Sequence, residues 1–271
     1  MNNTMNNEKI LDLKELIPSK YKTLDEFKKK MHDECLKESI KQVKENITDQ
    51  DLLNIYVNYL DIMDELINSY FERVAEHFTI YYPEASIKAS MLDDFLKIKG
   101  LTRKELAKVF GVSEESMGID LKPKDLDILR QTIESLKSLI LQKKVFEERI
   151  TEMAKIIAKN TSELIGEIVT ARLLEAAGSL KRLMLMPSST IQVLGAEKAL
   201  FRHLRTKSKP PKHGIIFNTT YVNSAPLKHR GKISRTLASK IVISVKIDYF
   251  KGKSISKELI DDMNKKIAGL K

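Results

Sequence analysis

From residue 52 onward, apolar side chains recur at intervals that a helix would gather on one face. Leu52, Tyr56, Tyr59, Met63, Leu66 and Tyr70 are spaced by 4, 3, 4, 3 and 4 residues. That heptad rhythm belongs to a helix burying a narrow seam against another helix. Pro83 ends the pattern near Tyr82, because the residue before a proline is driven out of the helical region. A second seam follows Pro123, through Leu126, Leu129, Ile133, Leu136 and Ile140. Its phase then slips, and Phe146, Ile150, Met153 and Ile157 carry a new stripe, as a stutter does. Two long seamed helices predict an antiparallel coiled-coil hairpin over residues 48–160, with a small tip insert at 84–122 holding two short helical patterns.

The flanks read differently. Residues 1–47 form a charged N-terminal segment, irregular over 1–22, where Pro18 is a breaker, and helical over 23–46. After Asn160 the apolar residues become denser and the helices shorter. The spacing predicts helices at 161–178, 179–186, 190–206, 226–250 and 254–269, with breaks at Pro187, Pro210–Pro211 and Pro226. The apolar run from Ile241 to Val245 has the look of a strand, yet it continues the helical series Ile233, Leu237, Ile241 and Val245. The expected fold class is therefore all-α, ending in a compact helical domain over 161–271.

Composition agrees with this pattern. Hydrophobic residues make up 42% of the 271, enough for a core, while Gly (10) and Pro (7) are scarce. A lone cysteine, Cys35, excludes a disulfide framework and a cysteine-rich zinc site, and it suits a reducing compartment. No stretch approaches the apolar length needed to span a bilayer, and Met1 to Leu13 lacks a signal-peptide layout. The expectation is an intracellular protein without a membrane.

Charge changes the picture more. The net charge is +10, yet from Lys198 to Ile247 there are twelve Lys or Arg and no Asp or Glu. The rest of the chain carries 35 basic and 37 acidic residues. An acid-free block of fifty residues that also holds three of the five histidines points to a polyanion. Within it Lys198, Arg202 and Arg205 share one helical face. A loop stiffened by Pro210 and Pro211 carries Lys207, Lys209, Lys212 and His213. A second basic face is expected from Lys228, Arg230, Lys232 and Arg235. Phosphates would supply the affinity of such a surface, and RNA shape its selectivity. His213 has the chemistry to stack on an unpaired base.

Other chemistry is weaker. Thr102 to Ser116, TRKELAKVFGVSEES, resembles the first helix and turn of a helix-turn-helix. The helix that should then enter the major groove would hold Glu114, Glu115, Gly118 and Asp120, so a packed insert is the better reading. No nucleotide-binding loop, paired metal-ligand histidines or nucleophile elbow is present, which predicts no catalytic residues, no metal and no cofactor. Glu197 beside Lys198 suits a hydrogen-bond acceptor, because adjacent helical side chains point apart. His203 and His229 read as packed or solvated. Phe201 reads equally well as a core anchor or a stacking platform.

The segments GAEKALFR (195–202), PPKHGIIF (210–217) and HRGKISRTLASK (229–240) together closely resemble the Nop-domain family. These are the core scaffolds of box C/D small RNPs and a spliceosomal relative. SMGIDLKPKDLDILRQ (116–131) and ARLLEAAGSLKRLMLMPSSTIQVLG (171–195) extend the resemblance. It implies a non-enzymatic scaffold that binds kink-turn guide RNA together with an L-seven-Ae-type protein, in a particle guiding RNA 2′-O-methylation. It implies that Gly195, Ala196, Glu197 and Lys198 face RNA. Ala199, Leu200, Phe201 and Arg202 match the loop at the end of the guide duplex, and His213 matches a position at the RNA. Self-association as a homodimer through the coiled coil is a further implication, as is a cytoplasmic place in an archaeon or a nucleolar or nuclear one in a eukaryote.

One departure bears on partners. Family members that recruit fibrillarin carry a sizeable domain ahead of the coiled coil, whereas about forty-five residues precede it here. Either fibrillarin docks differently or the chain does not recruit it, as in the spliceosomal relative. A smaller departure is the polar run Asn160-Thr161-Ser162. The competing readings are a splicing-type assembly factor, a helix-turn-helix DNA-binding regulator acting through 102–120, and a coiled-coil adaptor whose basic block meets an acidic protein or membrane surface.

Overall fold

The computed structural model describes residues 24–89 and 91–269, and every regular element among them is helical. The chain divides into two compact units, residues 1–48 and 49–271. The first contains α1 (Leu24–Asn46), where a helix is expected, with Met31, Leu36, Ile40 and Val43 exposed. The expected irregular stretch at 1–22 lies outside the described residues.

The second unit begins with α2 (Asp49–Tyr81), which returns as α6 (Pro123–Ile157) after three short helices, α3 (Pro83–Lys88), α4 (Leu92–Leu96) and α5 (Arg103–Phe110). The hairpin is antiparallel. Early α2 packs with late α6, as Leu53, Val57 and Leu60 share a core with Ile150, Met153 and Ala154. Late α2 packs with early α6, as Met63, Ile67, Val74 and Phe78 share one with Leu129, Ile133, Leu136 and Ile140. Full burial of each such aliphatic side chain contributes roughly 1.5–3 kcal/mol.

The α6 seam lies where the spacing puts it, but the α2 seam is displaced. Of the six positions expected there, Met63 is buried, Tyr56 and Tyr70 are half-buried, and Leu52, Tyr59 and Leu66 are exposed. The buried series runs instead through Leu53, Val57, Leu60, Met63 and Ile67. The cause is that α2 is apolar over a wide arc, so two heptad series lie side by side and periodicity does not choose between them. The aliphatic series faces the partner helices. Tyr56 and Tyr59 sit at the flank, their rings 5.9 and 5.6 Å from that of Phe146.

The insert holds three helices rather than two. Thr102 caps α5 by accepting the Glu105 N–H, and Gly111, at φ 64°, ends it in the left-handed region. The second helix that a helix-turn-helix needs does not form: residues 113–122 are irregular. Glu84 binds the Ser116 hydroxyl and the Met117 N–H, and Arg103 donates to the Gly118 carbonyl and pairs with Asp120, so the segment is tied to the tip.

Beyond α6 come α7 (Lys159–Ile165), α8 (Glu167–Ala177), α9 (Leu180–Leu185), α10 (Ser188–Val193), α11 (Glu197–Thr206), a 3-10 turn (Ile215–Asn218), α12 (Thr220–Asn223), α13 (Leu227–Phe250) and α14 (Ser256–Ala268). Two expected helices are each broken at a glycine with positive φ, Gly166 between α7 and α8 and Gly195 between α10 and α11. Helix α13 is the axle of this region. Ile233, Leu237, Ile241 and Val245 are all buried, in the helical rather than the strand reading. They share one core with Leu164, Leu173, Leu183, Ile191, Ile216 and Val222, and also with Leu53 and Ile150 of the hairpin.

The run Asn160-Thr161-Ser162 has a structural explanation. The Asp248 carboxylate of α13 accepts from the Asn160 N–H (2.8 Å), the Asn160 amide group (2.8 Å), the Thr161 N–H (2.9 Å) and the Thr161 hydroxyl (2.7 Å). All three polar residues are buried, and the carboxylate replaces an N-cap for α7. Elsewhere, Arg172 of α8 ties to the hairpin by pairing with Asp61 (2.7 Å) and Asp64 (3.5 Å), and Lys143 pairs with Asp64 (2.6 Å).

Candidate nucleic-acid interface

The interface is built on a pinned loop. Gly214 donates its N–H to the Gln192 carbonyl (2.9 Å) and Ile215 donates to the Leu194 carbonyl (2.8 Å), so the chain after the loop runs back against the end of α10. The Gln192 side-chain amide adds a bond to the Lys212 carbonyl (2.7 Å). This crossing requires glycine. A Cβ on Gly214 would lie 1.9 Å from the Leu194 carbonyl oxygen, and one on Gly195 would lie 2.5 Å from Ile215 Cγ1. At the other end the His203 ring pairs with the Ser208 carbonyl oxygen, which accounts for that histidine structurally. The loop bearing Lys209 and Lys212 is thus fastened at both ends, and both lysines are exposed.

Helix α11 is unusual because it buries none of its residues. Lys198, Arg202 and Arg205 recur along it as the spacing predicts, and with Phe201 and Thr206 they line a shallow groove of about 420 Å³. Phe201 is 59% exposed, so it is not a core anchor, and Leu204 is 67% exposed. Ala199 and Leu200 are half-buried on the inner side. The Glu197 carboxylate accepts the Gly195 N–H at 2.6 Å and so closes the turn at the start of the helix. Its side chain is therefore engaged by its own loop, next to Ala196.

The third part is α13. Lys228, Lys232 and Arg235 are all exposed and share its outer face by their spacing. The Lys212 side chain runs along this helix, its Cδ 3.4 Å from where a Cβ on Gly231 would stand. The loop and the α13 face therefore meet. Arg230 is the exception among the expected cations. It lies about 200° around the helix from Lys228. Its Nε donates to the Ala225 carbonyl (2.9 Å) and its Nη2 to the Asn223 carbonyl (3.1 Å). Its guanidinium carbon sits 5.2 Å from the centre of the Phe217 ring, and Phe217 stacks on His213 at 4.7 Å and 20°. Burial, with Arg230 and Lys212 close by, holds the His213 pKa below the ordinary imidazole value.

Among the described residues, Lys240 is the one cation from 198 to 247 paired with a carboxylate, that of Asp262. Among the described residues, the other cations of the block form no ion pair with a carboxylate. Next to it lies a groove of about 800 Å³ between the start of α13 and α14, lined by Tyr221, Pro226, Lys228, His229, Ile233 and Ile267. Gln192, Phe217 and the carbonyls of Asn223 and Ala225 were not singled out in the sequence. Of these Phe217 and Gln192 had a signal, as members of the PPKHGIIF segment and of the segment 171–195.

The Nop family, described as "snoRNA binding domain, fibrillarin", matches residues 59–269. A NOP5 family protein of Methanocaldococcus jannaschii is 34% identical over 264 residues, covering 91% of this chain and 64% of that protein. Nucleolar protein 56 of Schizosaccharomyces pombe is 33% identical, over 77% of this chain and 46% of its own length. Nucleolar protein 58 of Dictyostelium discoideum is 38% identical, over 71% and 33%. The chain thus spans between a third and two thirds of the length of these relatives. Among solved structures, a crystal structure of a fibrillarin/Nop5p complex contains a chain alike at a TM-score of 0.53 and 27% identity, over 92% of this chain and 81% of that one. No helix among the described residues is long and apolar enough to cross a membrane.

Proposed function

The chain belongs to the Nop family, and from that premise we propose that it is a scaffold gripping kink-turn guide RNA already held by an L-seven-Ae-type protein. The observation that carries this reading is the pinned loop, which lays Lys212 along α13 and stacks His213 on Phe217 under Arg230, with Lys209 exposed on the same loop. Phosphates meet Lys212, Lys228, Lys232 and Arg235 there, and a base stacks on His213. Lys198, Arg202 and Arg205 extend the track along α11, with the exposed Phe201 at the end of the guide duplex. Gly195 and Ala196 let RNA backbone approach the turn between α10 and α11. The small partner protein occupies the apolar groove beside Lys228 and His229, so that one face reads RNA and protein together.

Self-association fits the displaced seam of α2. Leu52, Ile55, Tyr59, Ile62 and Leu66 form a second heptad stripe left exposed on the hairpin, and a homodimer pairs these stripes. Where fibrillarin joins, the output is guided 2′-O-methylation. Where it does not, the particle is of the splicing type. Pull-down of fibrillarin with the assembled chain separates the two.

The test is a titration of kink-turn RNA with and without the small partner. Binding should be weak to the bare RNA and far tighter to the loaded RNA. Lys198→Ala and His213→Ala should weaken the second without unfolding the protein. Equal affinity for bare and loaded RNA would contradict the composite reading.

A further inference from the structure

We propose that Arg230 is a positioning residue rather than a phosphate ligand: it fixes Phe217 and so presents the His213 ring to an unpaired RNA base. The inference deepens the RNA-binding reading above and rests on it for the identity of the base. It starts from an inconsistency within the basic block. Lys228, Lys232 and Arg235 reach solvent from one face of α13, while Arg230 turns away from them.

What Arg230 touches explains the turn. Two of its donors serve the carbonyls of Asn223 and Ala225, which end α12 and lead into α13. Withdrawing the guanidinium toward a phosphate would leave those acceptors without it. The same group lies over the Phe217 ring, where the quadrupole attracts a cation. Phe217 in turn stacks on His213, a residue that is only half-buried. A planar fork that binds two carbonyls and covers a ring is something arginine provides and lysine does not. The chain of contacts therefore runs from the α12–α13 turn, through Arg230 and Phe217, to the ring that a base would meet. A ring held in one orientation loses less freedom when a base stacks on it. The lowered pKa of His213 supports this, because a neutral imidazole is the form that stacks without carrying a charge of its own.

The first measurement needs no RNA. In the full chain, the ring current of Phe217 displaces the His213 Cε1–Hε1 resonance. Arg230→Met should return it most of the way toward the value of an unstacked histidine, while Lys232→Met should leave it alone. An unmoved resonance in Arg230→Met overturns the proposal. Should that variant fail to fold, Arg230→Lys, which keeps the charge and loses the fork, is read the same way.

The second measurement is binding to kink-turn RNA loaded with the small partner. His213→Ala and Arg230→Met should each weaken it about tenfold, and the double variant by about tenfold as well, since both break one contact. The slope of log K against log salt should stay that of the wild type. Losses that multiply to about a hundredfold, with a slope shallower by about one, would make Arg230 a phosphate ligand and overturn the proposal. A resonance that moves as expected in Arg230→Met, together with a wild-type chain that does not bind loaded RNA, leaves Arg230 positioning His213 and sinks the RNA reading instead.

Discussion

Replacing Asp248 should loosen the joint between α13 and the end of the hairpin. Its carboxylate accepts four hydrogen bonds of 2.7–2.9 Å from Asn160 and Thr161 at the start of α7. Helix α7 has only seven residues and no side-chain cap of its own. Bonds to a charged group contribute about 1.5–3 kcal/mol each when lost singly, but four on one carboxylate are not additive. An N-cap alone is worth about 0.5–2 kcal/mol, and each buried donor left without an acceptor costs about 1–3 kcal/mol. Asp248 itself is half-buried, so solvation of the exposed part offsets some of that loss. Asp248→Ala should therefore destabilise the 49–271 unit by about 3–5 kcal/mol, and Asp248→Asn, which keeps one carbonyl oxygen, by about half as much. For a unit of this size that is a fall in Tm of about 6–20 °C for alanine. Urea unfolding followed by helical circular dichroism gives the free energies directly. A loss below about 1 kcal/mol for Asp248→Ala, with the unfolding slope unchanged, would refute the capping role.

Further outcomes follow from the interface. Gly214→Ala places a methyl group on the Leu194 carbonyl, so it should cost at least about 2 kcal/mol and weaken loaded-RNA binding more than Lys212→Ala does, by melting and titration. Phe201→Ala removes an exposed ring, so stability should change by less than about 0.5 kcal/mol while binding falls several-fold; a clear loss of stability would show that the ring packs. His213 has a folded pKa below its unfolded value, so the unfolded chain takes up its proton first. Stability should fall as pH drops below about 6.5 and through the folded pKa, and His213→Phe should remove that part of the acid sensitivity in pH-dependent melts. Assuming about four to six phosphate contacts, log K for loaded RNA against log salt should slope near −3 to −4, and a slope near zero would deny the electrostatic basis.

Much of the fold was readable because α6 carries a narrow apolar stripe, Leu129, Ile133, Leu136 and Ile140, which could pack in only one phase. In α13 the series Ile233, Leu237, Ile241 and Val245 kept a helical spacing through an apolar run that on its own also suited a strand. α2 was not readable in this way, since its tyrosines and its leucines offer two phases and only the partner helices decide. The breaks at Gly166 and Gly195 were missed because an isolated glycine is tolerated inside a helix, and nothing local shows that another segment must cross there. The cations of the candidate interface, and their exposure, were legible from the absence of acids. Their division was not, because the fate of Arg230 depends on Asn223, Ala225 and Phe217, whose approach is tertiary. The same is true of Asp248, the first acid after the basic block, whose partners lie nearly ninety residues earlier.

The most direct test of the proposed RNA-binding face is photocrosslinking of 4-thiouridine-substituted kink-turn RNA, loaded with the small partner, to the full chain, with the attachment sites located by mass spectrometry. Crosslinks should fall in 195–205, 209–213 and 228–235. Crosslinks concentrated in 102–120, or spread over the hairpin with none beside His213, would contradict it.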